Sequence, residues 1–254
     1  MSRLIDELNR AAREAAQPMG FRTARTAPAG PRLRLIASLA ETEGVGRANL
    51  LEGADAALLH LTKADAAKAL SKIAGTLPDI PWGVWLDDIG AKKWEALIEA
   101  GADFVVFPLS RQVTAAPLDE KTGKVLQIEL SLGDGLLRAI NDLPVGAVLA
   151  ADAAEVGGAT WHQLMHLQRL GNILVKPILA PVPSNVTAEE LRALWEAGVD
   201  GVVVGAGTAG RLLELRQAID KFPPHLRKRG KTEAILPHIS SALEAAPEEE
   251  EEDE

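Results

Sequence analysis

The chain has 254 residues, 47% of them hydrophobic, and a formal net charge of −9. The acidic run Glu248 to Glu254 supplies −7 of that charge, so the remainder is nearly neutral and makes no case for nucleic acid as a partner. The absence of cysteine excludes disulfides, thiolate chemistry and Cys-ligated zinc, and no apolar run approaches the ~20 residues of a transmembrane helix; a cytoplasmic protein with no membrane partner is expected.

Met1 to Gln17 has helical spacing, with Leu4, Ile5, Leu8, Ala11, Ala12 and Ala15 on one side. Its Asp6, Glu7 and Glu14 do not suit a transit peptide. A Pro/Gly stretch, Ala27 to Pro31, follows as a linker, so residues 1–30 read as an extra helix and linker outside the main body, covering its lower end. Eight apolar segments then read as strands: Leu33–Leu39, Ala56–Leu61, Trp82–Leu86, Phe104–Leu109, Leu126–Leu132, Val145–Ala151, Ile173–Ala180 and Val202–Gly205. Helical patterns fall between most of them, at Ala64–Ile73, Ala91–Ala100, Leu136–Asn141, Trp161–Leu170 and Ala188–Ala197, the last opened by a Thr187/Glu190 capping box. Thr114 to Lys124 reads as loop. After Phe222-Pro223-Pro224 come a helical extension, 223–246, and a disordered acidic tail, 247–254. The basic cluster Arg227, Lys228, Arg229 and Lys231 just before that tail reads as a solvated helix end, with the tail itself as a competitor for any anion.

A short element recurs. Gly53-Ala54-Asp55, Gly101-Ala102-Asp103 and Gly198-Val199-Asp200 each lead into a strand, and their glycines are 48 and 97 residues apart. Half of the shorter gap, about 24 residues, suits one strand-plus-helix unit of a (β/α)8 barrel of ~250 residues. The fold class expected is therefore α/β, a single (β/α)8 barrel over residues 31–222; the alternative is an open doubly wound sheet. In a barrel these aspartates lie at the strands' N-terminal ends, where residues serve stability, so they are expected to hold turns.

Chemistry is sought at the other end, after each strand. That end carries Glu41 and Glu43, His60, Asp87 and Asp88, Ser110 and Arg111, Ser131 and Asp134, Asp152 and Glu155, Ser184 and Asn185, and then a glycine loop. Crowded carboxylates perturb one another's ionisation and suit acid/base work or an oxygen-ligated Mg2+. Glu41, Asp87 and Asp152 are the catalytic candidates. The loop Gly205-Ala206-Gly207-Thr208-Ala209-Gly210 bares backbone N–H groups at the start of a helix, a ready cradle for phosphate, with Thr208 and Arg211 as added donors. Its literal fit to G-x-G-x-x-G makes a poor dinucleotide fingerprint, because Asp220 follows a helix and not a second strand.

Pro177-Ile178-Leu179-Ala180, Ala188-Glu189-Glu190-Leu191 and Glu196 through Gly205 resemble the C-terminal quarter of the phosphate-binding (β/α)8 barrels, over residues 173–211. That superfamily includes enzymes of tryptophan and histidine biosynthesis and flavin-dependent oxidoreductases. The resemblance implies an enzyme of lyase, isomerase or synthase type acting on a small phosphorylated metabolite. It implies phosphate at Gly205, Gly207, Thr208, Gly210 and Arg211, with Ser184 and Asn185 from the preceding loop. It also admits FMN, held through its phosphate, as a cofactor. The chain departs from the pattern where members carry a Gly-Gly pair after the seventh strand: it has Pro181-Val182-Pro183-Ser184-Asn185, and proline donates no N–H. A non-catalytic barrel, kept as a binding or assembly module with a degenerate phosphate site, is the rival reading.

Two further features read as structural. Lys176 has the look of a Schiff-base lysine, but the resemblance aligns it with the beginning of the seventh strand, away from the mouth. His162 and His166 share a helix face at metal-capable spacing without the glutamate of a zincin motif, so no metal site is assigned to them. Exposed helical faces are compatible with a homo-oligomer.

Overall fold

The computed structural model describes residues 2–14, 33–40, 48–61, 79–86, 97–110, 121–151 and 158–222. Eight parallel strands close into a barrel in chain order: β1 (Arg34–Ala40), β2 (Ala56–Leu61), β3 (Trp82–Leu86), β4 (Phe104–Pro108), β5 (Gly123–Ile128), β6 (Ala147–Ala150), β7 (Ile178–Val182) and β8 (Gly201–Gly205). Pairing of Arg34 with Gly201 through Ser38 with Gly205 joins β8 back to β1. Closure rules out the open doubly wound sheet. The described helices are α1 (Arg3–Glu14), α2 (Asp134–Ile140), α3 (Trp161–Ile173), α4 (Ala188–Glu196) and α5 (Arg211–Asp220). No helix among the described residues is long and apolar enough to cross a membrane. The expected helix Ala64–Ile73, most of Ala91–Ala100, the loop 114–120, the C-terminal extension and the acidic tail lie outside the described residues.

Strand alternation divides the core in two. Leu35, Ala37, Leu59, Val84, Val105, Val148, Ile178, Val202 and Val204 face outward and pack against the helical layer. Ile36, Ala56, Leu58, Phe104, Val106, Val125, Ala147, Leu149, Leu179 and Val203 fill the barrel interior. Among the described residues Phe104 is the largest wholly buried side chain, and Gly83 on the neighbouring strand makes room for it: a Cβ there would stand 2.5 Å from the phenyl ring.

Helix α1 closes the lower end. Its Leu4 and Leu8 are fully buried among the interior residues. Asp103, just before β4, anchors the helix by accepting from the N–H groups of Arg3 (2.7 Å) and Leu4 (3.0 Å) and from the Ser2 hydroxyl (2.7 Å). These are orphan donors of a first helical turn, so the carboxylate satisfies hydrogen bonds that the helix cannot make internally. Gly123 and Gly146 lie beneath Ile5, where a Cβ at either position would collide with α1.

The three recurrent entrances behave as turns. Gly53, Gly101 and Gly198 all have φ near +90° to +115°, the left-handed region in which glycine is unstrained. At the last two the chain leaves its helix through a Schellman pair: Gly101 N–H to Ile98 O with Ala102 N–H to Leu97 O, and Gly198 N–H to Trp195 O with Val199 N–H to Leu194 O. Asp200 then exchanges two bonds with one residue of β7, its N–H donating to Ile178 O and its carboxylate accepting from Ile178 N–H, both at 2.8 Å. Asp55 does the same with Leu35 of β1, at 2.8 and 2.7 Å. Asp55 also pairs with Arg34 (3.3 Å) and with Arg216 of α5, tying the helical layer to the barrel's lower rim.

Strands β1, β6 and β8 start within two residues of where the apolar pattern suggests, and β5 and β7 start further away. β5 begins at Gly123 and not at Leu126, because Gly123 N–H donates to Asp103 O and enters the ladder there. β7 begins at Ile178 and not at Ile173. Helix α3 runs on through Ile173, and the Asn141 side chain caps its end, donating to Ile173 O and accepting from Val175 N–H, both at 3.0 Å.

Replacing Asp200 with Ala leaves the buried Ile178 N–H without its side-chain acceptor. Unfolding in urea is expected to show a loss of about 1–3 kcal/mol, with Asp200→Asn losing less because its amide oxygen still accepts.

Candidate functional site

The strands' C-terminal ends form the mouth. Stepping two residues along from the interior positions places Ser38, His60, Trp85, Gln127, Pro181 and Gly205 on its floor. All but Gly205 are partly exposed, and Gly205 is exposed. His60 and Trp85 are register partners whose rings lie 4.6 Å apart at 35°. The floor therefore presents an imidazole stacked on an indole, beside a hydroxyl and a carboxamide. Sequence reasoning noted His60 at this end without assigning it a role and passed over Ser38, Trp85 and Gln127. Their signal is positional: His60, Trp85 and Gln127 are each the last inward residue of a strand whose earlier inward residues are apolar or glycine, and Ser38 is the polar residue two beyond the inward Ile36.

The glycine loop leaves β8 with Ala206 N–H donating to Ser38 O (2.9 Å) and Gly207 N–H turning back on Gly205 O (2.9 Å). Gly207, Thr208, Ala209 and Gly210 are exposed, and a Cβ at Gly205, Gly207 or Gly210 would meet nothing within 4 Å. Gly210, at φ +83°, is the N-cap of α5 and brings no side-chain cap. Among the described residues, the N–H groups of Thr208, Ala209, Gly210, Leu212 and Leu213 have no acceptor. Open space, bare donors and the positive end of a helix meet at this point. Gly207's own N–H is spent within the loop.

The loop after β7 is a tight turn, with Val186 N–H donating to Pro183 O (3.1 Å) and Ser184 and Asn185 exposed at its tip. Arg211 fastens the two loops together. Its Nε donates to Ser184 O (3.1 Å) and one terminal nitrogen to Val186 O (2.6 Å), while the other pairs with Glu214 (3.1 Å). The guanidinium thus braces the rim in this structure.

Asp134 opens α2 and is paired with Arg169 of α3 (2.7 Å), and Ser131 donates to Glu129 (3.3 Å). Glu41, Asp87 and Asp152, together with Glu43, Asp88, Arg111 and Glu155, lie outside the described residues. Among the described residues no group of three or more His, Asp or Glu is gathered to hold a metal ion. Lys176 stands two residues before β7, at the lower end. Its Nζ donates to Leu143 O (2.9 Å) and Val145 O (2.7 Å), and burial lowers its pKa from the ordinary lysine value against the raising effect of Asp142.

Two capping boxes set the helix starts at this rim. Thr160 and Gln163 cap α3; Thr187 and Glu190 cap α4, as the sequence indicated. The Glu190 carboxylate accepts from Thr187 N–H (2.7 Å) and hydroxyl (2.8 Å) and also reaches Ala159 N–H (3.2 Å), joining the starts of both helices. The Thr187 N–H and hydroxyl, against a raising effect of desolvation and with help from Ala159 N–H, hold its pKa below the ordinary carboxylate value. Away from the mouth, an open groove of about 390 Å³ runs between α4 and α5, lined in part by Arg192, Glu214 and Phe222.

Fold and site together define a (β/α)8 barrel with an exposed glycine loop after its last strand. Compared by sequence, the chain matches no protein-family model and no curated protein. Its fold is similar to that of a mutant tryptophan synthase α-subunit from the hyperthermophile Pyrococcus furiosus, with a TM-score of 0.56 and 16% identity over 74% of this chain and 96% of that one. It is similar too to ligand-free mutant tryptophan synthase from M. tuberculosis, with a TM-score of 0.58 and 15% identity over 87% of this chain and 98% of that one. At such identity the likeness is one of fold.

The lowered pKa of Glu190 has a definite sign. Its charged form stabilises the fold above the ordinary carboxylate value, and that contribution is lost as pH falls through the lowered value. Wild type is expected to be more stable than Glu190→Gln in urea near neutrality, the difference shrinking toward zero on acidification. An equal difference at all pH values would refute the assignment.

Proposed function

We propose that this barrel is an enzyme acting on a small phosphorylated metabolite by lyase, isomerase or synthase chemistry. The observation that carries the reading is the run of acceptor-free N–H groups from Thr208 into the first turn of α5, set around glycines that leave the approach open. Phosphate is held in the loop of Gly205, Gly207, Thr208 and Gly210, by the free N–H groups from Thr208 onward, with Gly205 and Gly207 leaving the approach open. Ser184 and Asn185 flank it from the β7 loop, and Arg211 acts by keeping the two loops together. A phosphate gripped there leaves the rest of a small molecule over the His60–Trp85 floor. Binding energy from the non-reacting phosphate is then available to position the reacting atoms. Glu41, Asp87 and Asp152, which follow the first, third and sixth strands in the sequence, are the acid/base groups of this reading. The similarity in fold to tryptophan synthase α-subunits, which are barrels of an enzyme, supports the enzymatic reading.

One observation favours a second reading, a non-catalytic binding or assembly module. The β7 loop offers prolines where backbone donors are wanted, and its Ser184 and Val186 carbonyls already engage Arg211.

The two-sided test is Thr208→Asp. A carboxylate before the first turn of α5 favours the helix by about 0.3–1 kcal/mol, yet it repels a bound anion. Wild type is expected to melt higher in the presence of inorganic phosphate or sugar phosphates, by the amount ligand linkage dictates. Thr208→Asp is expected to melt as high or higher without ligand and to gain nothing from it. Absence of any stabilisation of wild type by these anions sinks the phosphate site and leaves the module.

A further inference from the structure

On the outer wall of the barrel, the first two turns of α3 bring two imidazoles together. His162 and His166 are four residues apart on one helix face, with Nε2 atoms 3.2 Å apart, ring centroids 4.5 Å apart and planes at 76°. Among the described residues neither ring meets a carboxylate or any other hydrogen-bonding partner. His162 is exposed; His166 is half-buried, with its Nδ1 shut from solvent and unpartnered.

Two imidazole nitrogens on one ion, each at about 2.0–2.1 Å, stand about 2.9 Å apart at a right angle and about 3.4 Å apart at the tetrahedral angle. The observed separation falls between these limits, so the helix holds the pair at chelating distance. We propose that His162 and His166 form a two-imidazole site for a late first-row divalent metal ion, Cu2+ most strongly and Ni2+ or Zn2+ less so. The ion takes the place of the proton shared between the two rings. With two protein ligands, the other coordination positions belong to water, and the ion is exchangeable. With Nε2 on the ion, the Nδ1–H of His166 finds no outer-shell acceptor among the described residues to orient that ring, which keeps the affinity below that of closed sites. Because α3 begins just after the loop leaving β6, the ion sits on the outer wall at the mouth end of the barrel. The site is independent of the phosphate reading.

Trp161, 83% exposed and next to His162, is a built-in reporter. The experiment is a Cu2+ titration of the full-length chain without a polyhistidine tag, followed by calorimetry and tryptophan fluorescence. One ion is expected to bind and quench the emission. His162→Gln and His166→Gln are each expected to weaken binding by about a hundredfold, the loss of a chelate to a single ligand, with melting temperatures near wild type. A double replacement at His225 and His238 is expected to leave binding unchanged. Failure to bind overturns the proposal, and so does binding that survives both single replacements, which would assign the ion to the acidic run Glu248–Glu254.

Discussion

Closure of eight parallel strands governs the rest of this molecule. A closed sheet has no edge strand, so each strand is paired on both sides and variation is driven to the two rims. Closure also traps a fixed interior volume that must be filled without voids. Here a large ring at Phe104 is balanced by the missing side chain at Gly83, and the lower opening is stoppered by Leu4 and Leu8 from outside the barrel. The stopper depends in turn on the Asp103 carboxylate, which compensates the first turn of α1 at the point where the helix meets β4.

The two rims use similar residue types for opposite ends. Below, the carboxylates of Asp55, Asp103 and Asp200 have their oxygens engaged by backbone N–H groups or guanidinium partners, which locks chain entry into the strands. Above, the glycine loop after β8 leaves the N–H groups of Thr208, Ala209 and Gly210 without an acceptor among the described residues, and the floor inside it ends in His60, Trp85, Ser38 and Gln127 rather than in aliphatic side chains. Polar groups are satisfied at one rim, and at the other several donors are left without an acceptor among the described residues.

Much of this was legible in the linear chain. The Gly-x-Asp entrances marked the αβ turns because a left-handed residue and a short acceptor are local requirements, met within a few residues. The direction of the strands then assigned Asp55, Asp103 and Asp200 to the structural rim. Boundaries were less legible at β5 and β7. The apolar run from Ile173 suits a strand as well as a helix end, and the choice was made by Asn141, thirty-odd residues away. Arg211 was read as an anion donor from its place after the glycines. Its use as a brace depends on carbonyls of another loop, which sequence spacing does not reveal.

By itself, the sequence determined the fold class, the count of strands and the place of the glycine loop, since periodicity, helix caps and glycine turns are written in neighbouring residues. Tertiary structure decided what meets what: that β8 closes on β1, that α1 stoppers the lower end, that His60 lies against Trp85, and that the β7 and β8 loops share a guanidinium. Those contacts join residues far apart in the chain, and only closure of the barrel brings them within reach.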